Sequence, residues 1–213
     1  MTRPRNARSF SGSSLPAELL RMLVDDLRRD AVAIFPTETV YGLGASAFSR
    51  TGIQRIYALK GRNEKKPLAL LVPALDTAAP LVESIPAEAH RLADAFCPGP
   101  LTLVLKASPL GKLVTGGLET IGVRIPDHPM ALAILKAMSM PLATTSVNRS
   151  GEKPATSGAM SRKLFGGHVD WLIDAGACRV KTPSSVVDVS HYPFTVIREG
   201  AIRKAALENI LFG

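Results

Sequence analysis

The sequence predicts an α/β fold built on a mixed β-sheet. Helical and strand patterns alternate along the 213 residues, which is typical of this fold class. Some neighbouring predicted strands are too close in the chain for the crossover that parallel pairing requires, so we also expect antiparallel pairs. Since 46% of the residues are hydrophobic and no low-complexity linker interrupts the chain, we expect one domain with a buried core.

The first half of the chain supplies the clearest patterns. Apolar residues at helical spacing predict the first helix around Leu19 to Leu27, and Ser14 and Pro16 are suitable start signals. Short apolar runs that end at proline or charged residues are typical of buried strands, whereas longer amphipathic stretches indicate helices. These criteria predict strands at 31–35, 68–72 and 101–106, and helices at 52–59 and 87–96.

The second half continues the alternation. Asp127 is predicted to cap a helix that has Pro129 in its first turn and ends near Met138. A last helix is predicted from about Arg203. The strands of this half are predicted at 121–125, 142–145, 169–173, 185–189 and 194–198.

Residues 1–14 are predicted to form a flexible basic arm, and residues 15–213 the folded domain. The arm carries Arg3, Arg5 and Arg8 among serine and glycine, with almost no apolar residue to bury. It lacks the apolar segment of a secretory signal, and no run reaches the roughly 18 apolar residues of a membrane span. The two cysteines lie far apart. We therefore expect a cytoplasmic protein with no membrane association and no disulfide framework.

The charge of the chain favours polyanionic partners. The formal net charge is +8 and the pI is about 9.8. Either nucleic acid or the phosphates of a nucleotide would match this charge, and the charge alone does not choose between them.

The familiar catalytic motifs are missing from the sequence. The four histidines are scattered, and there is no nucleophile elbow, P-loop or complete Rossmann fingerprint. Instead, hydroxyl residues, glycine and cations follow several predicted strands. Such a set at strand ends suits a polyphosphate, although each segment taken singly is also typical of ordinary turns and solvated loops. The segments are 36–44, 60–67, 144–156, 183–189 and 196–200.

Arg124 is the polar residue whose position most clearly demands a partner. It lies in the apolar strand IGVRI at 121–125, where burial of an unpaired guanidinium would be costly. The carboxylate of a ligand is one candidate partner. Asp127 or another acidic residue is the structural alternative.

Taken in order, seven motifs resemble those of the YrdC-like threonylcarbamoyl-adenylate synthases across roughly residues 15–203. One such motif would be a weak signal, whereas seven in sequence are highly specific. The motifs are PTETVYGLG (36–44), KGR (60–62), PGPLTLVL (98–105), TIGVRIPDHP (120–129), SVN (146–148), SSVVDV (184–189) and VIREGAI (196–202).

This resemblance implies a fold and an activity. It implies an open, twisted mixed sheet flanked by helices, with a basic concave surface, in the short single-domain form of the family. It implies a nucleotidyltransferase that converts L-threonine, bicarbonate and ATP into threonylcarbamoyl-AMP and pyrophosphate, with Mg²⁺ as the accompanying metal. The product would pass to a complex of threonylcarbamoyl-transfer proteins that modifies an adenosine of tRNA. A paralogue that binds tRNA or double-stranded RNA without synthase activity is the alternative function.

The resemblance also implies roles for individual residues. Arg124 would hold the threonine carboxylate through a bidentate fork. Lys60, Arg62 and Arg198 would neutralise the charge that develops during catalysis. The full threonine set is Thr39, Arg124, Thr144 and Ser184. The full ATP set is Lys60, Arg62, Lys66, Thr120, Ser146, Asn148 and Arg198.

Three positions depart from the pattern of the family. Leu71 stands where many members have histidine, Lys66 where many have asparagine, and Ala155 where others have serine. Lys66 would still suit a phosphate. A lid over the reactive intermediate is predicted for either the basic arm or the loop at 149–156.

Overall fold

The computed structural model describes residues 7–64 and 66–213. Within them, ten strands form one sheet, accompanied by seven α-helices and a 3₁₀ helix. The strands are β1 (Arg8–Ser11), β2 (Ala33–Phe35), β3 (Gly42–Ser46), β4 (Ala69–Leu71), β5 (Leu101–Lys106), β6 (Thr120–Arg124), β7 (Leu142–Ser146), β8 (Trp171–Asp174), β9 (Ser185–Asp188) and β10 (Thr195–Arg198). The helices are α1 (Ala17–Arg28), α2 (Arg50–Lys60), α3 (Ala87–Phe96), α4 (Pro109–Thr115), α5 (Pro129–Met138), α6 (Gly158–Phe165) and α7 (Lys204–Phe212), with the 3₁₀ helix at Leu75–Leu81.

The sheet has the order β1-β8-β2-β3-β7-β4-β6-β5-β9-β10 and is mixed. The pairs β1–β8, β2–β8, β4–β6 and β5–β9 are parallel, and the remaining neighbours are antiparallel. The open mixed sheet flanked by helices that the sequence predicts is therefore confirmed. No helix in the described part of the chain is long and apolar enough to cross a bilayer.

Helices cover the two faces of the sheet unequally. The larger apolar cluster packs on the face that carries Leu103, Val123 and Val187, each at most 2% exposed. On the opposite face, α1 and α5 cover only the part around Phe35 and Leu71, where they form a second cluster. The rest of that face is half-exposed. We call it the open face, and its small or apolar members are Ala69, Val104, Gly122 and Val186.

Strand β3 is absent from the sequence-based prediction because its sequence, GLGAS, is glycine-rich. Its glycines allow it to pair closely with β2 and β7. A Cβ atom at Gly44 would lie 2.9 Å from both the Phe35 ring and Oγ1 of Thr144. Glycine here makes room for neighbouring side chains and does not mark a turn.

Helix α5 begins one residue later than the predicted cap implies. The N-cap residue is His128, whose Nδ1 accepts a hydrogen bond from the Met130 N–H at 3.3 Å. The prediction that Asp127 caps this helix is wrong, because its carboxylate forms an exposed ion pair with Arg179.

The N-terminal segment differs in part from the predicted arm. Residues 1–6 lie outside the described residues, but Arg8–Ser11 form the edge strand β1, parallel to β8. Arg8 stacks on the ring of Trp171 at 5.4 Å and forms an ion pair with Asp26 at 2.8 Å. Backbone pairing at a sheet edge requires few apolar residues, so composition gives no sign of this strand.

Candidate active site

The strand register brings predicted site residues together on the open face. Thr144 lies between Gly44 of β3 and Ala69 of β4. Arg124 is next to Leu71 of β4, and Arg198 pairs with Val186 of β9. Because side chains alternate along each strand, Thr120 and Ser146 share this face as well. Predicted site residues from β6, β7 and β10 thus share one face of the sheet.

Arg124 is buried at 9% exposure, and protein groups fix its orientation. Its Nη2 donates to Oε1 of Glu38 at 2.7 Å and to Oγ1 of Thr39 at 2.6 Å, and its Nε donates to the Gly99 carbonyl at 3.3 Å. Nη1 has no hydrogen-bond partner among the described residues. The geometry therefore leaves one nitrogen, with its two N–H donors, free for a ligand, instead of the two-nitrogen fork.

Glu38 is the acidic partner that Arg124 requires. It is missing from the site residues predicted from the sequence. Its side chain is 2% exposed. Oε1 accepts from Arg124, while Oε2 accepts from the Asp127 backbone N–H at 3.1 Å. The partner is thus another acid and not the Asp127 carboxylate. An acidic residue within PTETV, between a buried strand and the apolar residue Val40, is the signal that could have identified it.

Ser184 immediately precedes β9 and contacts Thr102 of β5 and Arg198 of β10. Its hydroxyl is 2.9 Å from Oγ1 of Thr102, and its carbonyl accepts from Nη2 of Arg198 at 2.6 Å and from Nε at 3.2 Å. Desolvation and the positive charge of Arg124 lower the pKa of Arg198. Arg124 on β6 and Arg198 on β10 thus lie on the same face of the sheet, on either side of Thr102 and Ser184. Thr102 is also missing from the predicted site residues, because its place within the apolar run LTLVLK indicates only a buried strand.

Lys60 lies beneath the loop that follows β7. Its Nζ donates to the carbonyl of Ser146, and to both the carbonyl and Oδ1 of Asn148 at 2.8 and 2.9 Å. Burial and the charge of Arg62 lower the pKa of Lys60 to about 8. A direct contact between Lys60 and ATP stays a prediction, and it would require one of these three bonds to be exchanged.

Three further members of the predicted ATP set lie nearer the surface. Arg62 donates to the carbonyls of Lys66 at 3.3 Å and Pro67 at 3.0 Å, within its own loop. Lys66 is exposed. Thr120 is half-buried at the start of β6, opposite Lys106 of β5. The charge of Arg62 contributes to the lowered pKa of Lys60, while its hydrogen bonds stay within its own loop.

Two departures from the pattern of the family have structural roles here. Leu71 is 2% exposed and belongs to the apolar cluster under α1 and α5, next to Arg124 in the sheet. Ala155 is fully buried, its N–H donates to the Val147 carbonyl, and its own carbonyl accepts from the Tyr41 N–H. Neither position offers a polar side chain to a ligand.

Behind Glu38 lies a small cavity of about 180 Å³. It is lined in part by Glu38, His128 and Cys178. Burial raises the pKa of the Cys178 thiol to about 11 and lowers the pKa of His128. The thiol is therefore protonated at neutral pH and is no activated nucleophile, which agrees with a site that works by binding and charge.

Comparison with known proteins identifies similar chains. The model of the Sua5/YciO/YrdC family, described as "Telomere recombination", matches residues 25–200. A threonylcarbamoyl-AMP synthase of Pyrococcus abyssi is 36% identical over 193 residues, covering 90% of this chain and 57% of that protein. One from Halorhodospira halophila is 35% identical over 170 residues, covering 79% of this chain and 89% of that protein.

A solved structure gives the same result for the fold. Sua5 of Pyrococcus abyssi, in complex with L-threonine, superposes with a TM-score of 0.89 at 34% identity. The match covers 96% of this chain and 60% of that protein. This chain thus spans a little over half the length of the Pyrococcus relative.

Proposed function

Because the chain belongs to the Sua5/YciO/YrdC family, we propose that it is a threonylcarbamoyl-AMP synthase. In this reaction the threonine nitrogen bonds to the carbon of bicarbonate with loss of water, which gives a carbamate. An oxygen of the carbamate then attacks the α-phosphorus of ATP, and pyrophosphate leaves. Two anions must approach each other, so the protein mainly has to neutralise charge and align the reactants.

The observation that carries the proposal is the free Nη1 of Arg124. Glu38 and Thr39 hold the other terminal nitrogen, so the direction of Nη1 is fixed before any ligand binds. A fixed cationic donor on a half-buried face suits a small carboxylate better than a mobile phosphate chain. The relative solved with L-threonine supports this amino acid as the ligand. In the proposal, Thr39, Thr144 and Ser184 surround the same amino acid.

The ATP would lie across the open face between β7 and β10, the strands that flank β4, β6, β5 and β9 in the sheet. Ser146 ends β7, Asn148 follows it, and Arg198 ends β10. With Arg62, Lys66 and Thr120, Ser146 and Arg198 would contact the nucleotide, and Asn148 would line its site. Arg62 and Arg198 would offset the charge on the phosphates. Lys60 would contribute a positive charge from beneath the loop. Arg124 and Arg198, on the same face of the sheet, would together draw the carbamate and the α-phosphate towards each other.

Mg²⁺ would enter this site with the phosphates. In the described part of the chain, no three His, Cys, Asp or Glu side chains are grouped so that they could hold a metal ion. Mg²⁺ commonly keeps several waters and binds through substrate phosphates. MgATP therefore fits as the substrate without a group of protein side chains that holds the metal.

The product implies the partners of the protein. Threonylcarbamoyl-AMP is a reactive mixed anhydride, so a transfer complex that acts on tRNA would have to consume it, and the cytoplasm would be the place of both steps. Direct binding of tRNA or double-stranded RNA without synthesis is the alternative. The relatives named as synthases and the fixed Arg124 donor favour the enzyme.

The test is an assay of the purified chain with labelled threonine, bicarbonate and MgATP for threonylcarbamoyl-AMP and threonine-dependent pyrophosphate. We expect the wild type to form both, Arg124→Ala to lose them, and Arg179→Ala, at an exposed arginine, to match the wild type. Absence of product from the wild type, with tight RNA binding that weakens steeply in salt, would instead establish the binding paralogue.

A further inference from the structure

The ammonium group of Lys60 is enclosed by oxygen atoms from one short loop. Its acceptors are the carbonyls of Ser146 and Asn148 and the Oδ1 of Asn148. An ammonium group has three N–H donors and no acceptor. These contacts therefore use all of its donors and leave none for a phosphate oxygen.

The same loop, residues 146–152, is organised around Asn148. The Asn148 Nδ2 donates to the carbonyls of Arg149 and Glu152, both at 2.8 Å, and Oδ1 also accepts from the Ser146 hydroxyl at 2.6 Å. The Lys60 carbonyl accepts from the Ser150 N–H at 2.9 Å. The Lys60 side chain thus holds the start of the loop at Ser146 and Asn148, and the Lys60 carbonyl holds its turn at Ser150.

Because the Lys60 ammonium group is buried, its hydrogen bonds to the three oxygens matter for the stability of the loop. Lys60 is 2% exposed, and no carboxylate lies among the acceptors of its ammonium group. A buried ammonium is costly unless hydrogen bonds replace its hydration, so the three oxygens and the charge depend on one another. Removing the side chain would leave the two carbonyls and the Asn148 amide oxygen with unfilled acceptor positions.

We infer that Lys60 is a positioning residue, which fixes the 146–152 loop at the edge of the ATP site and does not itself contact a phosphate. The inference rests on the proposed function for the identity of the ligand, but the anchoring itself does not. It differs from a direct phosphate contact, for which Arg62 is better placed because it lies nearer the surface and bonds only carbonyls of its own loop.

The first experiment compares Lys60→Met with Arg62→Met by hydrogen exchange. Both variants lose one positive charge from the same region, but only Lys60→Met removes the loop anchor. We expect faster amide exchange in residues 146–152 of Lys60→Met and unchanged exchange there in Arg62→Met. Unchanged exchange in Lys60→Met would overturn the inference, whether or not the chain makes threonylcarbamoyl-AMP.

The second experiment is a double-mutant cycle on ATP binding with Lys60→Met and Asn148→Ala. If Lys60 acts through the loop, each single change weakens ATP binding by about tenfold or more, and the double change adds little to the larger loss. If the two losses of ATP affinity add, Lys60 acts on the phosphates independently of Asn148, which would contradict the inference. A wild type that binds no ATP would defeat the proposed function, while the exchange comparison would still decide the anchoring.

A third measurement uses the wild type alone, in case Lys60→Met fails to fold. The chain is labelled with ¹⁵N-lysine, and the Nζ resonance of Lys60 is followed while the imido analogue of ATP is added. We expect the resonance to stay close to its starting position, because the three oxygens remain its partners. A large shift, with ³¹P coupling to the ammonium, would show a direct phosphate contact and overturn the inference.

Discussion

Nη2 of Arg124 lies 2.7 Å from Oε1 of Glu38, and the two side chains are 9% and 2% exposed. A buried ion pair is worth little compared with apolar residues, but removing one partner leaves an uncompensated charge. The pair therefore fixes a cationic donor on the open face, and it makes the fold depend on a residue that has no predicted contact with a ligand.

Glu38→Ala should destabilise the protein strongly because it leaves Arg124 buried without its carboxylate. We expect the free energy of unfolding to fall by about 3–5 kcal/mol, measured by urea denaturation. The control is Asp127→Asn, which breaks the exposed pair with Arg179 and should cost less than about 1 kcal/mol. Equal losses in the two variants would contradict the importance given to the buried pair.

Thr102 should affect threonine binding through the Ser184 hydroxyl, which lies 2.9 Å from Oγ1 of Thr102. Thr102→Val keeps the shape of the side chain but removes the hydroxyl, so we expect the KM for threonine to rise by about fivefold, with little change in kcat. Thr102→Ser keeps the hydrogen bond and should restore the wild-type KM. A KM unchanged in Thr102→Val would show that Ser184 needs no such partner.

The pKa of Lys60 gives a pH dependence of stability. Burial and Arg62 lower the pKa to about 8 from 10.5. Between these pH values the unfolded chain binds more protons than the folded protein, so the free energy of unfolding rises with pH there. Relative to Lys60→Met, we expect the wild type to gain roughly 1 kcal/mol per pH unit in this window. Denaturant melts in a pH series measure the difference, and a constant value would mean that the surrounding oxygens keep Lys60 protonated throughout.

Gly44→Ala should disturb the sheet beneath the open face. The new Cβ would lie 2.9 Å from the Phe35 ring and from Oγ1 of Thr144, so one of these side chains has to move. We expect a loss of about 1–3 kcal/mol in the free energy of unfolding.

Gly122→Ala provides the matched control for Gly44→Ala. Its nearest new contact would be Thr102 at 3.4 Å, an ordinary van der Waals distance, so the change in stability should stay within about 0.5 kcal/mol. Similar values for the two variants would show that the close packing around Gly44 has no energetic effect.

The predicted and observed elements agree best where the local pattern is strong. The helix at Ala87–Phe96 and the strand at Leu101–Lys106 have the predicted bounds, because apolar periodicity and the Pro-Gly-Pro turn define them locally. Helices α4 and α6 are missing from the prediction, since both are short. Strand β3 is missing because its glycines are explained only by neighbours on β2 and β7.

Periodicity determined the fold class of this protein, and the order of its motifs, through the family resemblance, indicated the candidate binding residues; both are properties of the chain alone. The tertiary structure decided which donors remain free for a ligand. Arg124 meets Glu38 from 86 positions away, and Lys60 meets Asn148 from 88 positions away. A hydrogen bond depends on distance and direction in space, which only the folded sheet sets, so the chain order reveals the candidate groups but not which of them already have partners.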